Sequence, residues 1–169
     1  MGYVHDEHMS EFIHPGDFEM SAGTWAVTEA SSVVSNDREA ADASVTVLVP
    51  IKMPSNSKAL KGAKLTSIDV GYLIGTAAAD DFATVELEKT TIGADDAAAT
   101  GSAPDITIDA AHDTAAERKA ADDHTMTITL DSPAFLDDGD CYWLKMIIDA
   151  AATTVIKFYG AIAHYTLRV

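Results

Sequence analysis

The chain has 169 residues, 27 acidic against 11 basic side chains for a formal net charge of −16, and one cysteine. Its size suits a single domain with one core, and a lone cysteine excludes an internal disulfide or a thiolate metal cluster. Nucleic acid is a poor partner, because binding it relies on Lys and Arg displacing counterions. Nineteen of the acids are Asp, a residue that competes with helical backbone hydrogen bonds and favours turns and caps. The composition therefore points to a loop-rich β fold with an acidic surface.

Residues 1–17 read as an extended N-terminal arm, since polar residues break each apolar run and Pro15-Gly16 supplies a turn signal. The arm carries Tyr3, Val4, Phe12 and Ile13, too many large apolar groups for a purely solvated tail, and these are expected to bind a neighbouring subunit. His5, Asp6, Glu7, His8 and His14 contain a His-x-x-His spacing, but on an irregular backbone a plain polar segment is the expected outcome and no metal is assigned. The first residues lack a basic stretch followed by an apolar run, so no secretory signal is expected. No apolar run approaches the roughly 20 residues of a membrane span.

Residues 18–169 form the expected β-sandwich domain. A first strand is predicted over Phe18 to Thr28 around Trp25, and Ala30 to Ala43, small and polar, reads as a loop. Val45, Val47, Val49, Ile51 and Met53 alternate along the next strand, where Pro50 requires an edge, a bulge or an unpaired position. Residues 54–64 connect onward and, with Lys52, hold Lys58, Lys61 and Lys64, a positive patch on a negative chain that is expected to meet the acidic surface of another copy. Leu65 to Ile74 places Ile68, Val70, Tyr72 and Ile74 on one face. Strands follow at Phe82 to Ile92, at Ile106 and Ile108, and at Met126 to Leu130. Ala110 to Asp123 allows at most a surface turn of helix, for it has no apolar stripe.

The run Cys141 to Val169 carries two long strands, with Tyr142, Leu144, Met146 and Ile148 on one face of the first. Ile156, Phe158, Gly160 and Ile162 are predicted on one face of the second, and the two are expected to pair as a central antiparallel hairpin. About eight strands and no core helix predict an all-β, two-sheet antiparallel sandwich of jelly-roll type.

No nucleophile motif, phosphate loop or dinucleotide fingerprint occurs, so the chain is expected to be non-enzymatic, with no cofactor. The turn Asp137-Asp138-Gly139-Asp140 has the composition of a calcium loop without its regular ligand spacing. A plain turn is the expectation.

The passage Val49-Pro50-Ile51-Lys52-Met53-Pro54, followed by Leu60-Lys61-Gly62-Ala63-Lys64-Leu65-Thr66-Ser67-Ile68, and the ending Tyr142-Trp143-Leu144 with Tyr159-Gly160-Ala161-Ile162-Ala163-His164-Tyr165-Thr166 together resemble β-sandwich proteins of tailed phages and bacterial surfaces. The resemblance covers about a third of the chain. It implies a capsid decoration (cement) or fibre module, a virion protein assembled in the host cytoplasm that acts as a homo-oligomer, often a trimer, on the major capsid protein. The alternative is a carbohydrate- or calcium-binding module of a surface or tail protein, for which exposed aromatics around an acidic loop would be the mark.

Overall fold

The computed structural model describes residues 5–55, 62–93 and 97–168. Two runs organise it, Asp140–Ala150 (β11) and Val155–Arg168 (β12), each long enough to cross a whole sheet. β11 is the middle strand of a five-stranded sheet ordered Glu19–Met20 (β2), Ala43–Ile51 (β5), β11, Asp81–Thr91 (β7), Thr100–Ser102 (β8). β12 lies inside a seven-stranded sheet ordered Trp25–Ala30 (β3), Val33–Arg38 (β4), β12, Ala63–Gly75 (β6), Asp123–Leu130 (β10), Ile106–Ile108 (β9), and Asp6–Ile13 (β1) pairs with the far half of β12. Every pairing is antiparallel, and the two sheets enclose one core, so the chain is an all-β sandwich.

The expected closing hairpin is corrected. β11 and β12 belong to different sheets, and the turn at residues 151–154 carries the chain across the core, anchored where the buried Thr154 hydroxyl donates to the Ala78 carbonyl at 2.9 Å. Both strands are nonetheless flanked on both sides over much of their length.

Local pattern places most of the core. Val45, Val47, Val49 and Ile51 of β5 point inward, as do Tyr142, Leu144, Met146 and Ile148 of β11. β6 keeps Ile68, Val70, Tyr72 and Ile74 inside and also Leu65. A bulge at Thr66 makes this possible, since Ser67 pairs with His164 while Leu65 pairs with Tyr165. Pro50 stands opposite Trp143 at a point where the two-residue β2 has already ended, so its missing amide leaves no neighbour unpaired. Phe158 centres an aromatic cluster, its ring centroid 5.5 Å from Phe18, 6.0 Å from Trp25 and 6.2 Å from Tyr72.

Four expectations are revised. The predicted arm is an edge strand within this chain, with Asp6 to Ile13 pairing in register with Arg168 to Ala161. Backbone groups make that ladder whatever the side chains are, and every residue of β1 except Ile13 remains exposed. The single predicted strand 18–28 is two strands, β2 in one sheet and β3 in the other, because residues 21–24 cross between them. The predicted loop 30–43 contains β4, whose buried positions are the polar Ser35, Asn36 and Arg38 and so gave no apolar signal.

The fourth revision concerns β12. Its register slips between Phe158 and Gly160, and Gly160 adopts φ +126°. Beyond that bulge Ala161, Ala163 and Tyr165 point inward and Ile162 points out. The one α-helix among the described residues is the turn Ala115–Arg118 (α1), closed by reciprocal Thr114 and Glu117 capping contacts. None there is long and apolar enough to cross a membrane.

Two measurements check this packing. Phe158→Ala should cost about 3–5 kcal/mol in equilibrium unfolding. Ala163→Asp should destabilise by several kcal/mol through a buried unpaired charge, whereas Ile162→Asp should stay within about 1 kcal/mol of wild type; equal losses would place the bulge wrongly.

Candidate functional site

β1 separates its two apolar sequence candidates, because adjacent residues on a strand face opposite ways. Ile13 is 2% exposed and belongs to the core, which corrects its expected role in an interface, while Phe12 is 60% exposed on the outer face of the seven-stranded sheet. Phe12 lies against Gly160, where an added Cβ would stand 2.7 Å from its Cζ and 2.8 Å from the Ile13 carbonyl oxygen. Glycine at 160 therefore both forms the bulge and lets the Phe12 ring rest on the sheet.

Around that contact runs an apolar strip. A hollow of about 180 Å³ is lined by Phe12, Gly71, Tyr159 and Ile162, with Asp69 and Thr125 at its rim. A neighbouring hollow of about 190 Å³ is lined by Val33, Leu73, Lys157 and Tyr159. Tyr159 joins them, and its hydroxyl donates to Asp123 at 2.9 Å. Burial, then that acidic acceptor, push its pKa up to about 12, so it stays a neutral donor.

Polar groups bordering the strip are bonded among themselves. Asp69 accepts from the Thr127 hydroxyl at 2.6 Å and meets His164 Nε2 at 2.9 Å. Asp37 meets Lys157 Nζ at 2.6 Å and accepts from the hydroxyls of Thr28 and Ser35. Burial raises the Asp37 pKa, but these donors outweigh it and hold the group below the ordinary carboxylate range.

The expected lysine patch is only partly visible. Tyr3, Val4, Lys58 and Lys61 lie outside the described residues. Lys52 pairs with Asp17 at 3.2 Å, and Lys64 sits over the Phe135 ring, 5.6 Å from its centroid, with Arg168 over the same ring at 5.1 Å. Arg168 also bonds Asp6 at 3.0 Å, which ties the start of β1 to the end of β12. His5 meets Glu7, and His14 Nδ1 accepts from the Gly16 amide. Among the described residues no three metal-ligating side chains converge.

Two further places bear on chemistry. At one end of the five-stranded sheet a hollow of about 370 Å³ is lined by Lys52, Met53, Leu136, Cys141, Tyr142 and Trp143 beside the acidic turn. Asp140 of that turn is already engaged, with Lys89 Nζ at 2.6 Å, the Thr91 hydroxyl and the Asp137 amide. Its burial raises the pKa, and the Lys89 and Thr91 bonds then bring it below the ordinary carboxylate value; the same pair raises the Lys89 pKa, mainly through the hydrogen bond.

The second place is a chain of side chains formed by the segments on either side of α1, which sequence reading missed because no regular spacing links its members. His112 Nδ1 meets Asp109 at 2.9 Å, His112 Nε2 meets His124 Nδ1 at 3.2 Å, and His124 Nε2 meets the Ala120 carbonyl at 3.0 Å. Tyr72 stacks on His124 with centroids 4.7 Å apart. The Asp109 carboxylate and the Ala120 carbonyl are the acceptors at the two ends of the chain. The chain ends on a carbonyl rather than a nucleophile, which suits it to holding these segments together.

Neither a protein-family model nor a curated protein sequence matches this chain. The geometry alone defines the class, an acidic β-sandwich with an apolar strip on the outer face of its seven-stranded sheet.

The Asp140–Lys89 contact gives a pH prediction. A carboxylate with a depressed folded pKa contributes stability above its unfolded value and loses it as pH falls through the folded one, while a raised lysine loses its contribution only as pH rises past the ordinary lysine range. The melting difference between wild type and Asp140→Asn should therefore be largest near neutrality, on the order of 3 kcal/mol, and shrink steadily below about pH 4. A difference that grows on acidification would contradict the contact.

Proposed function

We propose that this chain is a non-enzymatic virion module of jelly-roll type that decorates or cements a capsid shell, contacting copies of itself and the shell protein through the outer face of its seven-stranded sheet. The observation that carries the reading is the apolar strip of Phe12, Ile162, Tyr159, Leu73 and Val33 facing solvent on a chain of net charge −16, a patch of the kind that marks an interaction site. The strand orders support the jelly-roll half of the proposal. β4-β12-β6-β10 faces β5-β11-β7-β8, so from β4 onward the chain changes sheet at β4 to β5, β5 to β6, β6 to β7, β8 to β9, β10 to β11 and β11 to β12.

A glycan-binding reading has one observation behind it, the Trp143-lined hollow beside the acidic turn. The docking face is favoured because its apolar groups are the more exposed, with Phe12 at 60% and Val33 at 50%.

Phe12 is a cleaner probe than removal of the N-terminal segment, which would also take Ile13 out of the core. Phe12→Glu should leave the melting temperature within a few degrees of wild type and weaken self-association in sedimentation, and co-pelleting with capsids, at least tenfold. Added salt should strengthen wild-type association by screening repulsion between acidic copies. Undiminished assembly of the variant overturns the reading, and glycan-array binding lost in Trp143→Ala would replace it with the second.

A further inference from the structure

A glycine inside a strand answers to one of two demands, a backbone that no side chain could follow or a space that something else fills. Gly160 meets the first through its φ of +126°. Gly71, its partner across β6 and β12, does not, for its φ is not left-handed. An added Cβ there would find only ordinary contacts, 3.5 Å from the Tyr159 Cβ and 3.9 Å from the Gly160 carbonyl oxygen. Position 71 is bordered by β10 as well as β12, a setting where glycine weakens a strand and a β-branched residue favours it. Folding alone gives no reason for a bare backbone at this point.

What the two facing glycines leave is a dimple on the outer face of the seven-stranded sheet. It is the hollow of about 180 Å³ walled by Phe12, Tyr159 and Ile162, with Thr125 and Asp69 at the rim. That rim is acidic. Asp69 is bonded to the Thr127 hydroxyl and to His164, and Asp123 stands beyond it, accepting from the Tyr159 hydroxyl. Neither carboxylate meets a lysine or arginine among the described residues, whose lysines and arginines pair with other acids. An apolar floor edged by such carboxylates is complementary to an apolar side chain that has a basic one beside it. A second copy does not supply that combination. Its exposed large apolar groups, Met9, Phe12, Val27, Val33, Val34 and Ile92, have no lysine or arginine adjacent in sequence, and its net charge is −16.

We propose that the Gly71–Gly160 dimple is a socket for one apolar side chain on an extended basic segment of a different chain, a lysine or arginine of that segment reaching Asp123. The socket rests on the docking function proposed for this face and narrows it, assigning this part of the face to the shell protein rather than to another copy. An apolar group seated in a desolvated pocket supplies most of the affinity, while the charges at the rim steer approach and make it salt-sensitive.

Gly71→Val fills the dimple without altering a charge. It should melt no lower than wild type and co-pellet with capsids about tenfold or more weakly, with self-association in sedimentation unchanged. Wild-type capsid binding should fall about tenfold between about 0.05 and 0.5 M salt, and Asp123→Asn should bind more weakly and lose most of that salt response. If Gly71→Val melts well below wild type, Thr125→Lys takes its place, an exposed change at the rim that should repel the basic segment and cause the same loss. Capsid binding undiminished in the dimple variant while Phe12→Glu weakens it would overturn the socket and leave the docking function standing; binding undiminished in both would remove both. Self-association lost in Gly71→Val, capsid binding that salt strengthens, or a wild-type salt response in Asp123→Asn would each overturn the assignment to a basic partner.

Discussion

Strand β12 must border three neighbours at once, and the slip at Gly160 is what allows it. Its first half pairs with β4 and β6, its second half with β1 and β6. A strictly alternating strand carrying Ile156 and Phe158 inward would next drive Ile162 and His164 into the core and turn Ala161 and Ala163 out. The extra residue at Tyr159 reverses the phase, so the small alanines go inward and the larger side chains meet Phe12 and Asp69 outside. Core and candidate docking face are two consequences of one backbone irregularity. A residue larger than glycine at 160 would disturb both, since the same position holds a left-handed φ and touches β1.

Charge is organised on the same principle of local compensation. The acids nearest the sheets, Asp37, Asp69, Asp109 and Asp140, each meet a lysine or a histidine at hydrogen-bond distance. The remaining described carboxylates are divided between strands and loops and are mostly exposed, where water screens them and their repulsion costs little. Such pairs contribute less by their own attraction than by the penalty for leaving one partner buried alone. They fix strands relative to one another, as Asp140 does for β7 and β11 and Asp69 does for β6, β10 and β12.

The proposed function rests on which surfaces the pairing leaves over. The five-stranded sheet presents a mixed outer face on which Lys145 bonds Glu86 and Glu88, each at 3.1 Å. The seven-stranded sheet instead presents Phe12, Ile162, Leu73 and Val33 between bonded polar clusters. The difference leaves one outer face with an exposed apolar strip and the other with bonded charges, the asymmetry on which the proposed docking rests.

The sequence by itself determined the all-β class, the positions of β5, β6, β7, β10 and β11, and the inward faces of β5 and β11. Period-two alternation of Val45 to Ile51 or Tyr142 to Ile148 is a local property, written residue by residue. Only the tertiary structure decided which strands are neighbours, because backbone ladders form without regard to side chains. That is why β1 and β4, polar along most of their length, were not legible as strands, and why β11 and β12 read as a hairpin. It also assembled the apolar strip of the proposed docking face: Phe12 was visible as an apolar candidate, but Ile162, Tyr159, Leu73 and Val33 join it only after a bulge reverses one strand and distant segments are laid side by side. The His112–His124 chain and the Gly71–Gly160 dimple are of the same kind, since each depends on what lies opposite a residue in space, which no local pattern records.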